Sequence, residues 1–100
     1  MQQSSHKLYI IVDKTLSSSQ QAVQACHAAI EFAKAYPEWK HQSLVLLGVD
    51  DEDQLEEWYT FLAHQPKVKT HFFRESFWDD RLTAIAAYGC DHEVRNLPLL

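Results

Sequence analysis

The feature that most constrains the fold is the alternation of short apolar runs with amphipathic, helix-forming segments. Residues 8–12 and 43–49 are rich in aliphatic and β-branched side chains, as expected of inner strands that are covered on both faces. A helix-forming segment follows each run. This alternation predicts a sheet covered by helices, and the chain of 100 residues is the usual size of a single domain, here residues 1–100.

The first helix is predicted between Ser17 and about Ala35. Ser17 and Ser18 are each followed three residues later by a glutamine, which is a capping-box pattern, and Pro37 ends the helix. Apolar residues that recur at spacings of three and four predict the face turned toward the sheet. These residues are Ala22, Val23, Cys26, Ala29, Ile30 and Ala33.

The second half of the chain predicts one more helix and two more strands. Asp50 or Asp51 caps the second helix, whose apolar stripe is formed by Leu55, Trp58, Tyr59 and Leu62. Residues 69–75 and 83–88 are predicted strands, joined by a polar connection at 76–82. This short connection suits an antiparallel pair, so the predicted fold is α/β, with a mixed four-stranded sheet in the order β-α-β-α-β-β.

Composition excludes several classes of function. With only two glycines, the chain contains neither a phosphate-binding loop nor a dinucleotide fingerprint. The net charge of −5 argues mildly against nucleic acid, but six of the fourteen acids lie in residues 50–57. The rest of the chain has eight acidic and nine basic residues, so the composition still allows a basic patch elsewhere on the surface.

Cellular location and redox state are also constrained. No apolar run approaches the ~20 residues of a membrane span, and residues 1–6 hold no signal-peptide core. A cytoplasmic protein without a membrane partner is therefore expected. Cys26 and Cys90 are predicted to stay reduced, and the scattered histidines and cysteines predict no metal site.

His27 is the strongest candidate for chemistry on the first helix. Gln20, Gln24, His27 and Glu31 follow spacings of four, three and four, and so form one polar stripe. The stripe begins at the helix N-terminus, where free N–H groups attract anions. His27 is thus a candidate general base or phosphate ligand, while a solvated stripe is the structural alternative.

A second candidate group follows the third predicted strand. Glu75 ends that strand, where a carboxylate beside an open sheet edge is a candidate base. Arg74 is placed to hold a phosphate or to pair with Asp79. A solvated loop carboxylate is the alternative for Glu75, and the acidic segment 50–57 is expected to stabilise a helix N-terminus.

Three segments resemble the type 2 peptidyl-tRNA hydrolases, over about residues 7–89. They are the opening strand at 8–12, the helix segment Gln24-Ala25-Cys26-His27-Ala28-Ala29, and the strand start Thr83-Ala84-Ile85-Ala86. The resemblance implies a three-layer α/β/α domain, often dimeric, that cleaves the ester between a peptidyl or aminoacyl group and tRNA without a cofactor. On this basis His27 and Thr83 match functional positions, and Glu75 lies where the family carries an aspartate.

The chain departs from the family where the family's first helix begins. A Gly-Lys-Gly-Lys-like segment is replaced by Ser17-Ser18-Ser19-Gln20, so Gln20 lies where the functional lysine belongs. The loop after Glu75 is shorter than the family's. The resemblance implies a catalytic set of His27, Glu75, Thr83 and Gln20. The candidate substrate-binding residues are Ser18, Ser19 and Gln24 near the start of the first helix, together with the basic residues Lys14 and Arg74.

Two other functions compete with this hydrolase. The second hypothesis is a non-catalytic binding module or homodimer that kept the same scaffold and lost the lysine. A small hydrolase acting on another ester or amide is the third alternative.

Overall fold

A mixed four-stranded sheet with one helix on each face forms the molecule. The computed structural model describes residues 7–40 and 43–100. The elements are β1 (Lys7–Asp13), α1 (Ser18–Ala35), β2 (Ser43–Val49), α2 (Glu52–Ala63), β3 (Lys69–Glu75), a short 3-10 helix (Ser76–Trp78) and β4 (Arg81–Tyr88). The predicted α/β class and element order are confirmed. The predicted polar N-terminal segment, residues 1–6, lies outside the described residues.

The sheet order is β2-β1-β4-β3. β1 and β2 are parallel, whereas β4 runs antiparallel to both β1 and β3. The carboxyl ends of β1, β2 and β3 therefore share one edge of the sheet, and β4 begins there. In open α/β sheets this edge is where ligands usually bind.

Alternation along β1 divides the core into two layers. Leu8, Ile10 and Val12 pack in one buried cluster with residues of α1, including Phe32. Tyr9 and Ile11 belong to a second cluster on the other face, which contains Leu55 and Leu62 of α2. Successive strand residues point to opposite faces, so a fully apolar strand between two helices is the expected pattern. The three-layer arrangement follows directly.

The predicted inner face of α1 is wrong. Val23 is 44% exposed and Ile30 56% exposed, while Ala22, Cys26 and Ala33 are exposed as well. The helix instead buries Gln24, Ala25, Ala28 and Phe32. Alanines at two of these positions let the helix approach the sheet closely, and the Phe32 ring fills the remaining space. The polar stripe and the packed face thus meet at Gln24.

The second helix agrees with its prediction. The Asp51 carboxylate accepts the backbone N–H of Gln54 at 2.9 Å, which is an N-cap interaction. Leu55 and Leu62 are fully buried, and Trp58 and Tyr59 pack beside them. The acids of the first turn, Glu52 and Asp53, lie where the helix dipole favours negative charge.

The connection from β3 to β4 is tighter than the sequence predicts. β4 begins at Arg81 rather than at residue 83. After the 3-10 turn, Asp79 and Asp80 have φ angles of 53° and 59°. Aspartate is among the few side chains that tolerate this left-handed backbone, and the Asp80 N–H donates to the Glu75 carbonyl at 3.1 Å. The turn is therefore closed directly behind Glu75.

The C-terminal segment protects the free edge of β2. The N–H of Gly48 donates to the Pro98 carbonyl at 3.1 Å, and the N–H of Leu100 donates to the Leu46 carbonyl at 3.0 Å. Leu99 forms an antiparallel bridge with Leu47. Covering an edge strand in this way blocks unwanted pairing with another chain. None of the helices in residues 7–40 and 43–100 is long and apolar enough to cross a membrane.

Candidate active site

The candidate site lies where β1 and β3 end, β4 begins and α1 starts. Ser17 caps α1, and its hydroxyl accepts the Gln20 N–H at 3.3 Å. The predicted residues Gln20, Gln24 and His27 follow on one side of this helix, which contacts β3 and β4. The structure brings these three residues together with Glu75 and Thr83.

The side-chain amide of Gln24 joins the cluster. Gln24 is completely buried, yet all of its polar groups are used. Its Nε2 group donates to Glu75 Oε1 at 2.9 Å and to Gln20 Oε1 at 3.2 Å. Its Oε1 accepts the Thr83 hydroxyl at 2.8 Å. A buried amide is tolerated only when its donors and acceptor are paired in this way.

The direction of these hydrogen bonds is set by the carboxylate. An ionised carboxylate only accepts hydrogen bonds, so the Nε2 end of Gln24 must face Glu75. The carbonyl end of Gln24 then faces Thr83, whose hydroxyl also lies 3.3 Å from the Phe73 carbonyl. Glu75 thereby orients Gln24, and the Gln24 carbonyl oxygen accepts a hydrogen bond from the Thr83 hydroxyl.

Glu75 is held as an anion by its neighbours. The Gln24 amide is the largest of the influences that lower the pKa of the Glu75 carboxyl. Partial burial opposes this shift, while the backbone N–H groups of Phe77 and Ser76 and the charge of His27 reinforce it. Hydrogen bonds to the charged form favour ionisation. Glu75 is consequently an oriented carboxylate at neutral pH.

His27 is exposed beside this carboxylate. Its imidazole stacks on the Phe73 ring with centroids 4.3 Å apart and planes 10° apart. The contact fixes the plane of the imidazole and leaves the opposite ring face toward solvent. His27 is therefore exposed to solvent, and it lies close enough to Glu75 for its charge to lower the pKa of that carboxyl.

Thr83 reaches the cluster through a β-bulge. Phe73 pairs with Ala84 and Arg74 pairs with Leu82, so Thr83 is an extra residue in β4. Bulges redirect side chains and are common next to active sites. Thr83 is completely buried, as is Gln24, and neither side chain can touch a substrate. The Thr83 hydroxyl instead bonds to Gln24, and the Gln24 amide to Glu75, whereas the sequence predicts that Thr83 contacts the ester and that Gln24 binds substrate.

Gln20 lies between the buried network and solvent. Its carbonyl oxygen accepts from Gln24, so its amide nitrogen is left as the outward group. Within the part of the chain that the structure describes, this nitrogen donates no hydrogen bond to another residue. Gln20 therefore presents two neutral N–H donors in place of the lysine charge of the family that the sequence resembles.

The two basic residues proposed to bind substrate do not join the site. Lys14 Nζ lies 3.6 Å from the Asp50 carboxylate, near the end of β2. Arg74 pairs with Glu56 of α2 at 3.0 Å and donates to the Asp80 carbonyl, not to the Asp79 carboxylate. As neighbours along β3, Arg74 and Glu75 point to opposite faces of the sheet.

Two serines and a buried carboxylate complete the comparison with the sequence. Ser18 and Ser19 are exposed in the first turn of α1, where they extend toward solvent.

The sequence interpretation misses Asp13, which is buried and accepts hydrogen bonds from Thr15 and Arg81. The feature of the sequence that could have indicated this residue is its position, as an aspartate directly after the apolar run at 8–12. This pair ties the end of β1 to the start of β4 beside the site.

Neither cysteine belongs to the hydrogen-bonded cluster around Gln24. Cys26 and Cys90 are both free thiols, the first exposed and the second buried. Among residues 7–40 and 43–100, no group of three or more histidine, cysteine or acidic side chains is arranged to hold a metal ion.

Comparison with known proteins identifies the fold alone. No protein-family model and no curated protein sequence matches the chain. Among solved structures, the chain is similar to the protein of unknown function Atu0240 from Agrobacterium tumefaciens strain C58. The two share 10% sequence identity and a TM-score of 0.75, over 98% of this chain and 99% of the other. The architecture therefore recurs in another protein despite little common sequence.

Proposed function

We propose that the chain is an ester hydrolase of the peptidyl-tRNA hydrolase type, which cleaves the bond between an acyl group and the terminal ribose of tRNA. The observation that carries the proposal is the 2.9 Å hydrogen bond from the buried Gln24 amide to Glu75. This contact holds an ionised carboxylate beside an exposed imidazole, at the edge of the sheet where β1, β2 and β3 end. The resemblance in residues 24–29 and 83–86 gives the substrate class.

Ester hydrolysis needs a base, a nucleophilic water and stabilisation of the tetrahedral oxyanion. Glu75 accepts a proton from water as the water oxygen attacks the ester carbonyl. The intermediate then breaks its bond to the ribose oxygen, which takes the proton back from Glu75. The free N–H donors of Gln20 are suited to the oxyanion, and His27 orients the substrate or the water.

The low pKa of Glu75 has a cost in this mechanism. A carboxylate with a lowered pKa is a weaker base, so the rate must come mainly from positioning. Gln24 and Thr83 provide that positioning, because both are buried. The Thr83 hydroxyl donates to Gln24, and the Gln24 amide donates to the Glu75 carboxylate.

The test is turnover of N-acetylated aminoacyl-tRNA by the purified full chain. We expect release of the acyl group, and a fall of roughly 10²- to 10⁴-fold in kcat for Glu75→Gln, the range of general base catalysis. Glu57→Gln is the matched control, because it makes the same change on the exposed surface of α2. No cleavage above background, or equal rates for wild type and Glu75→Gln, would end the proposal.

A non-catalytic binding module is the second candidate, and two observations favour it. Gln20 supplies no charge where the family has lysine, and α1 turns Val23 and Ile30 outward. Retention of tRNA at increasing salt separates the candidates. Binding through phosphate contacts weakens steeply with added salt, whereas a module for a protein partner or second copy retains no tRNA.

A further inference from the structure

An exposed aromatic side chain, Phe77, follows Glu75 by two residues. Phe77 is 89% exposed, more than any other large apolar side chain in the described residues. Its backbone N–H donates to Glu75 Oε2 at 3.4 Å, so the same turn that holds the carboxylate also presents the ring. Burying such a side chain against a ligand is favourable, while leaving it in water is not.

The turn that carries Phe77 is constrained at both ends. It begins at Glu75, which caps the 3-10 helix, and closes through Asp79 and Asp80 in the left-handed conformation. The closing hydrogen bond from Asp80 to the Glu75 carbonyl is 3.1 Å long. Phe77 is thus displayed on a defined turn, and two residues of chain keep its α-carbon within ~7 Å of that of Glu75.

A second exposed ring, that of His27, also lies near the carboxylate. His27 is stacked on Phe73 and turns its free face to solvent. The exposed rings of His27, from α1, and of Phe77, from the turn, therefore both belong to the surroundings of Glu75. A flat ligand adjacent to an ester at Glu75 would have a surface on which to stack.

The charges near Glu75, His27 and Phe77 indicate which part of a nucleic acid can bind there. Lys14 and Arg74 are engaged with Asp50 and Glu56, and Glu75 is itself an anion. Phosphate groups are poorly matched to the immediate surroundings of Glu75, so the salt-sensitive phosphate contacts of a bound tRNA are expected on surface away from this carboxylate. The terminal nucleoside of an acylated tRNA brings only a base, a ribose and the ester past its last phosphate, and aromatic side chains stack on every base.

We infer that Phe77 stacks on the terminal base of the tRNA acceptor strand and that His27 forms the second wall of this base site. The inference rests on the proposed function, since it assigns the substrate's orientation at the same carboxylate. Stacking on the Phe77 ring supplies part of the binding affinity that the family's lysine, at the position of Gln20 here, would supply through its charge.

Binding of a labelled cytidine-cytidine-adenosine trinucleotide, followed by fluorescence anisotropy, tests this assignment without any need for turnover. We expect Phe77→Ala to weaken binding by roughly 5- to 150-fold, the loss of one base–aromatic stack. Phe77→Tyr should restore most of the affinity, and Phe77→Leu should not. Because the side chain is exposed, these variants should fold as the wild type does, which circular dichroism checks.

Two controls make the result specific. Phe61→Ala removes another exposed phenylalanine, on α2, and should leave binding unchanged. The second control is a trinucleotide that lacks the terminal base. The affinity of the wild type for it should be no higher than the affinity of Phe77→Ala for the complete trinucleotide.

The outcomes also separate this inference from the hydrolase proposal. Equal trinucleotide affinity in wild type and Phe77→Ala would overturn the base site even if the protein cleaves esters. Tighter binding of N-acetyl-phenylalanine amide than of the trinucleotide, lost in Phe77→Ala, would assign the ring to the acyl group instead. If the enzyme is active, Phe77→Ala should raise KM and leave kcat within about threefold, whereas Glu75→Gln lowers kcat.

Discussion

At the scale of single residues, the properties of Glu75 come from its contacts and not from its residue type. An ordinary surface glutamate is ionised but free to rotate. Here one carboxylate oxygen accepts from the buried Gln24 amide and the other from the Phe77 N–H. The two contacts restrict rotation and favour the charged form, which is what a positioned base requires.

Removal of the Gln24 amide should change the titration of Glu75. In Gln24→Met the largest cause of the lowered pKa is gone, so the pKa of Glu75 should rise toward its ordinary value. Thr83 retains the Phe73 carbonyl as an acceptor. NMR titration of the Glu75 side-chain carboxyl measures the shift. Gln21→Met is the control because, among the described residues, the Gln21 amide donates only to the backbone carbonyls of Lys14 and Leu16.

The same shift has a consequence for stability. A carboxyl whose pKa is lowered by folding stabilises the protein above its unfolded pKa of about 4.3, and this contribution is lost as the pH falls through the lower folded value. The free-energy difference between wild type and Gln24→Met should therefore be larger at pH 7 than at pH 3. A pH-independent difference, or an unchanged Glu75 titration, would contradict this account.

At the scale of elements, the orientation of α1 decides whether a site exists. Both the predicted face and the observed one have small apolar residues at helical spacing. The observed face carries Phe32, which is fully buried and contacts the Trp39 ring edge-on at 5.6 Å. Burial of this one large ring outweighs exposure of Val23 and Ile30, and it turns Gln24 and His27 toward β3.

A pair of substitutions tests the orientation of α1. Phe32→Ala should lower the free energy of unfolding by about 3–5 kcal/mol, because it leaves a cavity between α1 and the sheet. Ile30→Ala should change it by less than ~0.5 kcal/mol, since this side chain is 56% exposed. Urea unfolding followed by circular dichroism measures both. Similar losses for the two variants would mean that the helix packs through its other face.

At the scale of the whole molecule, the two faces of the sheet differ in what they pack against and carry. The face under α1 carries the candidate site, whereas the face under α2 is an apolar core that includes Cys90 and Val94 from the C-terminal segment. The Asp13–Arg81 pair links β1 to β4, and Arg81 lies 3.7 Å from Glu52 of α2. The chain has a radius of gyration of 12.7 Å, close to the ~13 Å of a compact domain of this length.

Thiol labelling should report the opening of this second core. Burial raises the pKa of Cys90 to about 12, with Asp91 and Glu93 adding to the shift. Iodoacetamide reacts with the thiolate, so at pH 8 it should modify the exposed Cys26 and leave Cys90 intact. Mass spectrometry should find Cys90 modified only when urea unfolds the domain. Equal labelling of both cysteines in native buffer would place Cys90 outside the core.

Local patterns in the sequence were sufficient for the elements and their order. The apolar runs at β1 and β2, the serine and aspartate caps and the stripe through Leu55 and Leu62 depend on contacts between near neighbours, which the sequence displays directly. They also place His27 on a helix and Glu75 at a strand end. Among the candidate residues, the sequence could propose Gln20, Gln24 and Thr83, but it could not separate those that meet solvent from those that are buried.

The packed structure alone determined how those residues work together. Two apolar faces of α1 have similar spacing, so only contact with the sheet selects the one with Phe32 and buries Gln24. The bulge that turns Thr83 toward Gln24 depends on the register between β3 and β4. The sequence thus determined which elements form, because that choice is local. Tertiary packing decided which side chains reach the carboxylate, because their partners lie more than 50 residues apart.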